Sequence, residues 1–174
     1  MKYTDPDGRE VDLSEIGVNN QQTLLKEINK YSYFNFSIQD NKLVMNEDVI
    51  NEAGSKTFGE DLNTAINDSM NIKIIFARNK EISGNIQRIA GGFSQITPDT
   101  NSAVIGINPG TAFYLDENEN MLKASAGEVL VHELSGHVLP ELKNINGNAI
   151  SIENVIRKEI GLPLRKEDPC HVCF

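Results

Sequence analysis

Apolar and polar positions follow two rhythms along this chain. Within residues 23–31, Leu24, Leu25 and Ile28 form a stripe at helical spacing with polar residues between, which predicts a short amphipathic helix. Tyr33, Phe34, Phe36 and Ile38, then Leu43, Val44 and Met45, flank Gln39-Asp40-Asn41-Lys42, which predicts a hairpin turning at Asp-Asn. Helical spacing returns at Leu62, Ala65 and Ile66 within residues 60–69, and the β-branched run Ile72-Lys73-Ile74-Ile75-Phe76 predicts a strand. Residues 84–98 alternate around Gly91-Gly92, as one or two short strands with a turn or bulge would. Ala103–Ile107 reads as a further strand stopped by Asn108-Pro109-Gly110, and Phe113-Tyr114-Leu115 as a short one before an acidic loop. Two helices close the chain. The first spans 124–139 and ends at Pro140; the second spans 151–160, with Ser151 as N-cap and Gly161 and Pro163 as its stop. Strands in the middle and helices around them make an α+β fold.

Composition narrows the picture. At 174 residues the chain suits one domain, and 39% hydrophobic with 24% charged residues is ordinary for a soluble globular protein. Sixteen Lys and Arg against 25 Asp and Glu give a net charge of −9, which disfavours nucleic acid as a partner. No apolar run is long enough for a membrane span, and MKYTDPDGREVDL lacks the apolar stretch of a secretory signal, so a soluble protein with no membrane partner is expected. Two cysteines are too few for a disulfide framework. Cys170-His171-Val172-Cys173 reads as a tail or a reversible disulfide, or else as an inhibitory thiolate plug on a metal.

Candidate chemistry is concentrated in one stretch. Two of the three histidines lie in His132-Glu133-Leu134-Ser135-Gly136-His137. Zinc peptidases carry His-Glu-x-x-His, two imidazoles one helical turn apart with the Glu as general base. Here the second His comes one residue late. On a regular helix, four residues leave two side chains about 40° apart, whereas five leave them about 140° apart. A π-bulge, with Gly136 easing the distortion and Ser135 bonding to a freed carbonyl, would restore one shared face. A catalytic zinc needs a third protein ligand. Among Glu141, Glu153, Glu159 and Asp168, Glu153 fits best, 16 residues past His137 across a chain reversal. Its place in the first turn of its helix is also what the helix dipole favours without any metal. Glu159 is expected to be solvated. Arg157, one turn beyond Glu153, is a candidate electrophile for the oxyanion or a salt-bridge partner orienting Glu153 or Glu133. Asn154 is a candidate support for a ligating imidazole or a surface residue. The strand 103–107 is either core or the edge on which an extended substrate lies.

The hexapeptide 132–137 resembles the HExxGH zinc motif of the dipeptidyl peptidase III family, in which the longer spacing binds zinc with a downstream Glu. More broadly, the helix of His132 and Glu133, the stretch from Glu153 to Arg165, Leu24-Leu25-x-x-Ile28-Asn29 and Ala103 to Pro109 look like C-terminal metallopeptidase-like domains of bacterial Rhs/YD-repeat proteins, which are zincins. Tyr3–Glu10 is similar to the peptide that closes an Rhs core. The resemblance implies a zincin-like domain at 13–165, a linker-like remnant at 1–12 and a tail at 166–174, with a small mixed or antiparallel sheet packed on the motif helix and a following glutamate helix. It implies His132, His137 and Glu153 as zinc ligands and Glu133 as catalytic base. The expected function is a zinc peptidase acting as a toxin or effector tail, with a peptide or protein substrate, an immunity or carrier protein as partner, and delivery within a larger Rhs-type protein. The alternative is a catalytically silent zincin-fold domain that binds zinc for structure or recognition.

Overall fold

The computed structural model describes residues 10–82, 85–88, 91–108 and 110–167. The Rhs-like peptide up to Arg9, Pro109, Asp168 and the cysteine tail lie outside them. The fold is mixed α+β. Its strands are β1 (Glu10–Asp12), β2 (Phe34–Gln39), β3 (Lys42–Ile50), β4 (Asn71–Phe76), β5 (Asn79–Ile82), β6 (Asn85–Arg88), β7 (Gly92–Thr97), β8 (Ser102–Ile107), β9 (Phe113–Leu115) and β10 (Met121–Lys123). Its helices are α1 (Val18–Tyr31), α2 (Lys56–Asn67), α3 (Ala126–Glu133), a π-turn (Leu134–Val138), α4 (Leu139–Leu142) and α5 (Ala149–Glu159).

Six strands form one sheet in the order β2-β3-β1-β4-β8-β7. The pairs β1–β4 and β4–β8 are parallel, while β1–β3, β2–β3 and β7–β8 are antiparallel. The β2–β3 hairpin turns at Asp40 and Asn41, with φ of 50° and 64°. Two consecutive left-handed residues match the twist of the flanking strands, and Asp and Asn tolerate that conformation well. Phe58 and Leu62 of α2, Leu24 and Ile28 of α1, and Ile72, Ile74 and Ile105 of the sheet pack into one core. Two further two-stranded sheets, β5–β6 and β9–β10, stand apart from the main sheet.

Three expectations change and one open alternative is settled. Glu10–Asp12, at the end of the stretch 1–12 expected as a linker-like remnant, is instead a strand between β3 and β4 with Val11 1% exposed. Three residues are too few for periodicity to reveal a strand. The strand 103–107 is no edge: β8 is paired on both sides, so its backbone cannot take up a further strand. The edge beside the motif helix is β7. Pro140 does not close its helix, which continues to Leu142. It lies just past the π-turn, where the backbone is already widened. The last helix starts at Ala149 under an Asn148 cap, whose side chain accepts from the N–H groups of Ile150 and Ser151, so Ser151 is not the cap.

Candidate metal and catalytic site

The motif sits where α3 gives way to the π-turn. Ser125 caps α3 by accepting from Glu128 N–H, and the Glu128 carboxylate accepts from Ser125 N–H at 2.8 Å, forming a capping box. Leu130, Val131 and Leu134 anchor the helix in the core. After Glu133 the backbone widens: Leu139 N–H donates to Leu134 C=O, five residues back. The insertion thus takes the form its spacing required. It brings the His132 and His137 rings to 5.0 Å between centroids, edge to face. Two imidazoles on one tetrahedral zinc stand about 5 Å apart by the same measure, given Zn–N bonds of about 2.0–2.1 Å.

Gly136 serves packing more than distortion. A Cβ there would lie 2.9 Å from Ala149 Cβ, so the glycine lets the start of α5 close on the π-turn. That approach carries Glu153 to His132. Ser135 is buried and bonds to no carbonyl of the turn, contrary to expectation.

Glu153 lies in the second turn of α5, one turn deeper than expected, which removes the first-turn dipole as the explanation for it. It is the hub of the site. Its Oε2 is 2.8 Å from His132 Nδ1 and accepts from Arg165 Nη1 at 2.7 Å; its Oε1 accepts from Arg157 Nε at 2.6 Å. Burial pushes this carboxyl up, but the His132 hydrogen bond and the two guanidiniums outweigh burial and hold its pKa down at about 2. Arg157, 2% exposed, also donates to Tyr114 Oη at 2.8 Å and Pro163 C=O at 3.1 Å, and pairs with Glu128 at 3.1 Å. Its guanidinium is committed to these partners and to orienting Glu153, so the geometry favours the salt-bridge role over the oxyanion role.

Glu133 is buried beside Ser94 of β7, where Gly92 leaves room for it: a Cβ at Gly92 would come 2.8 Å from Glu133 Oε1. Burial raises the Glu133 carboxyl above its ordinary value, against the lowering effects of His132, Ser94 and Arg165. A cavity of about 150 Å³ opens here, with Gly92, Tyr114, His132, Glu133, Glu153 and Arg165 in its wall. Among the described residues, His137 is not part of that wall.

The other candidates fall elsewhere. Glu141 is exposed. Glu159 is exposed, as expected, and in addition accepts from Ser55 Oγ at 2.5 Å and from Thr57 N–H and Oγ1, holding the start of α2. Asn154 does not support an imidazole. It pins the Arg165 backbone by a reciprocal pair, donating to Arg165 C=O at 2.9 Å and accepting from Arg165 N–H at 2.8 Å. Arg165, Glu128 and Tyr114 were not foreseen. Ser125-x-x-Glu128 is a legible cap signal, but nothing local marks Arg165 or Tyr114.

His132, His137 and Glu153 are the residues that could hold a divalent ion. The 2.8 Å between His132 Nδ1 and Glu153 Oε2 is below the roughly 3.3 Å between two ligand atoms on one tetrahedral zinc. Among the described residues, no three His, Cys, Asp or Glu side chains already converge as ligands do, and Arg157 and Arg165 are the cations on Glu153 instead. No family model, no curated protein and no solved structure matches this chain.

Proposed function

We propose that this protein is a zincin-like, zinc-dependent peptidase in which His132, His137 and Glu153 hold the metal and Glu133 is the general base. The observation that carries the proposal is the π-turn, which brings the two imidazoles to 5.0 Å, edge to face, despite their i, i+5 spacing. A buried carboxylate at the cavity and a second one against His132 support it. Zinc at such a site lowers the pKa of its water toward ~7 and polarises the scissile carbonyl.

The chain's own groups supply the rest. Glu133, raised by burial, is suited to accept the proton of the attacking water and pass it to the leaving amine. Arg157 fixes Glu153 through Oε1, which leaves Oε2 toward His132 as the oxygen that would face the metal. The β7 edge runs beside Glu133 through Ser94, so an extended peptide pairing with β7 would pass the cavity. The substrate is accordingly an extended peptide or protein segment. The role as a toxin tail of an Rhs-type protein, with an immunity protein as partner, rests on the motif resemblances.

The test is metal analysis and proteome-wide cleavage by the wild type beside Glu133→Gln. One zinc per chain in both, with cleavage by the wild type only, supports the peptidase. The closed network around Glu153 favours a second function, a zinc-binding domain without catalysis; zinc in both proteins and cleavage by neither would establish it. Wild type without zinc overturns both.

A further inference from the structure

Arg157 and Arg165 both pair with Glu153, but they are held very differently. The guanidinium of Arg157 is enclosed by Glu153, Glu128, Tyr114 and Pro163 C=O. Arg165 has a side chain 19% exposed in the cavity wall, and its Nη1 stands 2.7 Å from Glu153 Oε2 and 3.0 Å from His132 Nδ1. One nitrogen of a cation therefore touches two of the three atoms groups that a metal would need.

We propose that Arg165 is a resident cation that occupies the His132–Glu153 corner and must give way for a divalent ion to bind. This rests on the metal site proposed above and adds a regulatory element to it. Charge explains the exchange. Glu128, Glu133 and Glu153 face Arg157 and Arg165 across the cavity. With Arg165 withdrawn, three carboxylates would face one guanidinium, and a divalent ion restores the balance. Buried charge left uncompensated is costly, so the corner favours a cation in either state.

The backbone permits the exchange without unfolding. Residues 162–167 are strapped down through main-chain groups: Glu117 N–H donates to Leu164 C=O, Lys166 N–H to Leu115 C=O, and Asn154 brackets Arg165 on both sides. Only the Arg165 side chain has to swing. The Tyr114 ring, with its centroid 5.6 Å from the guanidinium carbon, offers an aromatic face nearby. Glu153 keeps its Arg157 partner throughout.

The experiment is a zinc titration of the whole chain against a competing chromophoric chelator at neutral pH, comparing wild type, Arg165→Gln and Asn154→Ala. Arg165→Gln is expected to bind zinc at least about tenfold more tightly, the scale of one lost charge-assisted hydrogen bond. Asn154→Ala loosens the backbone that holds the Arg165 guanidinium against Glu153, weakening the resident contact, and is expected to shift affinity the same way by a smaller factor. Arg165→Gln binding zinc no more tightly than a zinc-binding wild type overturns the resident-cation proposal alone. If Arg165→Gln does not fold, unchanged affinity in Asn154→Ala overturns it. Failure of every variant to bind zinc overturns the metal site and this proposal together.

Discussion

The sheet end and the motif end of this molecule are both buried, by opposite means. Around β4, β8 and α2, side chains such as Phe58, Leu62, Ile72, Ile74 and Ile105 are withdrawn from water with no polar partner needed. Around α3, the π-turn and α5, the buried set includes His132, Glu133, Glu153 and Arg157. The first region is stabilised in proportion to apolar area and loses stability gradually as atoms are removed. The second holds together only through pairing, so deleting one partner strands another. The candidate site thus lies where burial of polar groups costs most, beside a core that is stable without polar partners.

The sharpest break in the comparison is Glu133→Gln. Cleavage is expected to fall by about 10²–10⁴ for loss of a general base. Stability near neutral pH should rise, because burial raises the pKa of this carboxyl and its ionised form is a burden on the fold. Activity assays beside urea unfolding at pH 7 would check both halves, and a Glu133→Gln protein less stable than wild type would contradict the second.

Next come Phe58→Ala and Glu153→Ala, each expected to cost about 3–5 kcal/mol, the first by a cavity and the second by stranding Arg157. A second substitution separates the two mechanisms. Adding Arg157→Met to Glu153→Met should recover much of the loss, whereas no single added change refills the Phe58 cavity; equilibrium denaturation of the set measures this.

Acid sharpens the contrast further. The Glu153 pKa is depressed to about 2 from an ordinary 4.5. Its contribution is therefore complete above about pH 4.5 and is lost as pH falls toward 2. Unfolding followed between pH 6 and 2 should show this loss in wild type and a flatter profile in the Glu153→Met, Arg157→Met double variant.

The smallest expected effect is Ser125→Ala, about 1 kcal/mol for the α3 cap. Because Glu128 bridges that cap to Arg157, zinc affinity should shift slightly as well, which a cap serving α3 alone would not produce.

Much of the fold was legible locally. The helix at Leu24–Ile28, the hairpin at Asp40-Asn41 and the strands at 72–76 and 103–107 follow from spacing, because each buries one face at its own period. The π-turn was legible too, since two histidines five apart can share a face only if the helix widens between them. Other features were hidden by their dependence on distant partners. β1 is recognisable only from the strands either side of it, and the interior position of β8 only from β7. Glu159 is the exposed residue its sequence suggests, but its role in holding α2 depends on Ser55 and Thr57, about a hundred residues away, which donate to it.

Short-range pattern alone determined the α+β class, the acidic character, and the pairing of two imidazoles with a glutamate on one widened helix, because those follow from neighbours in the chain. Which carboxylate meets His132, which arginine is enclosed and which is partly exposed, and which strand edge lies beside Glu133 were decided only by packing. Gly136 against Ala149 and Asn154 against the Arg165 backbone set those positions, and contacts of that kind leave no periodic trace in the chain.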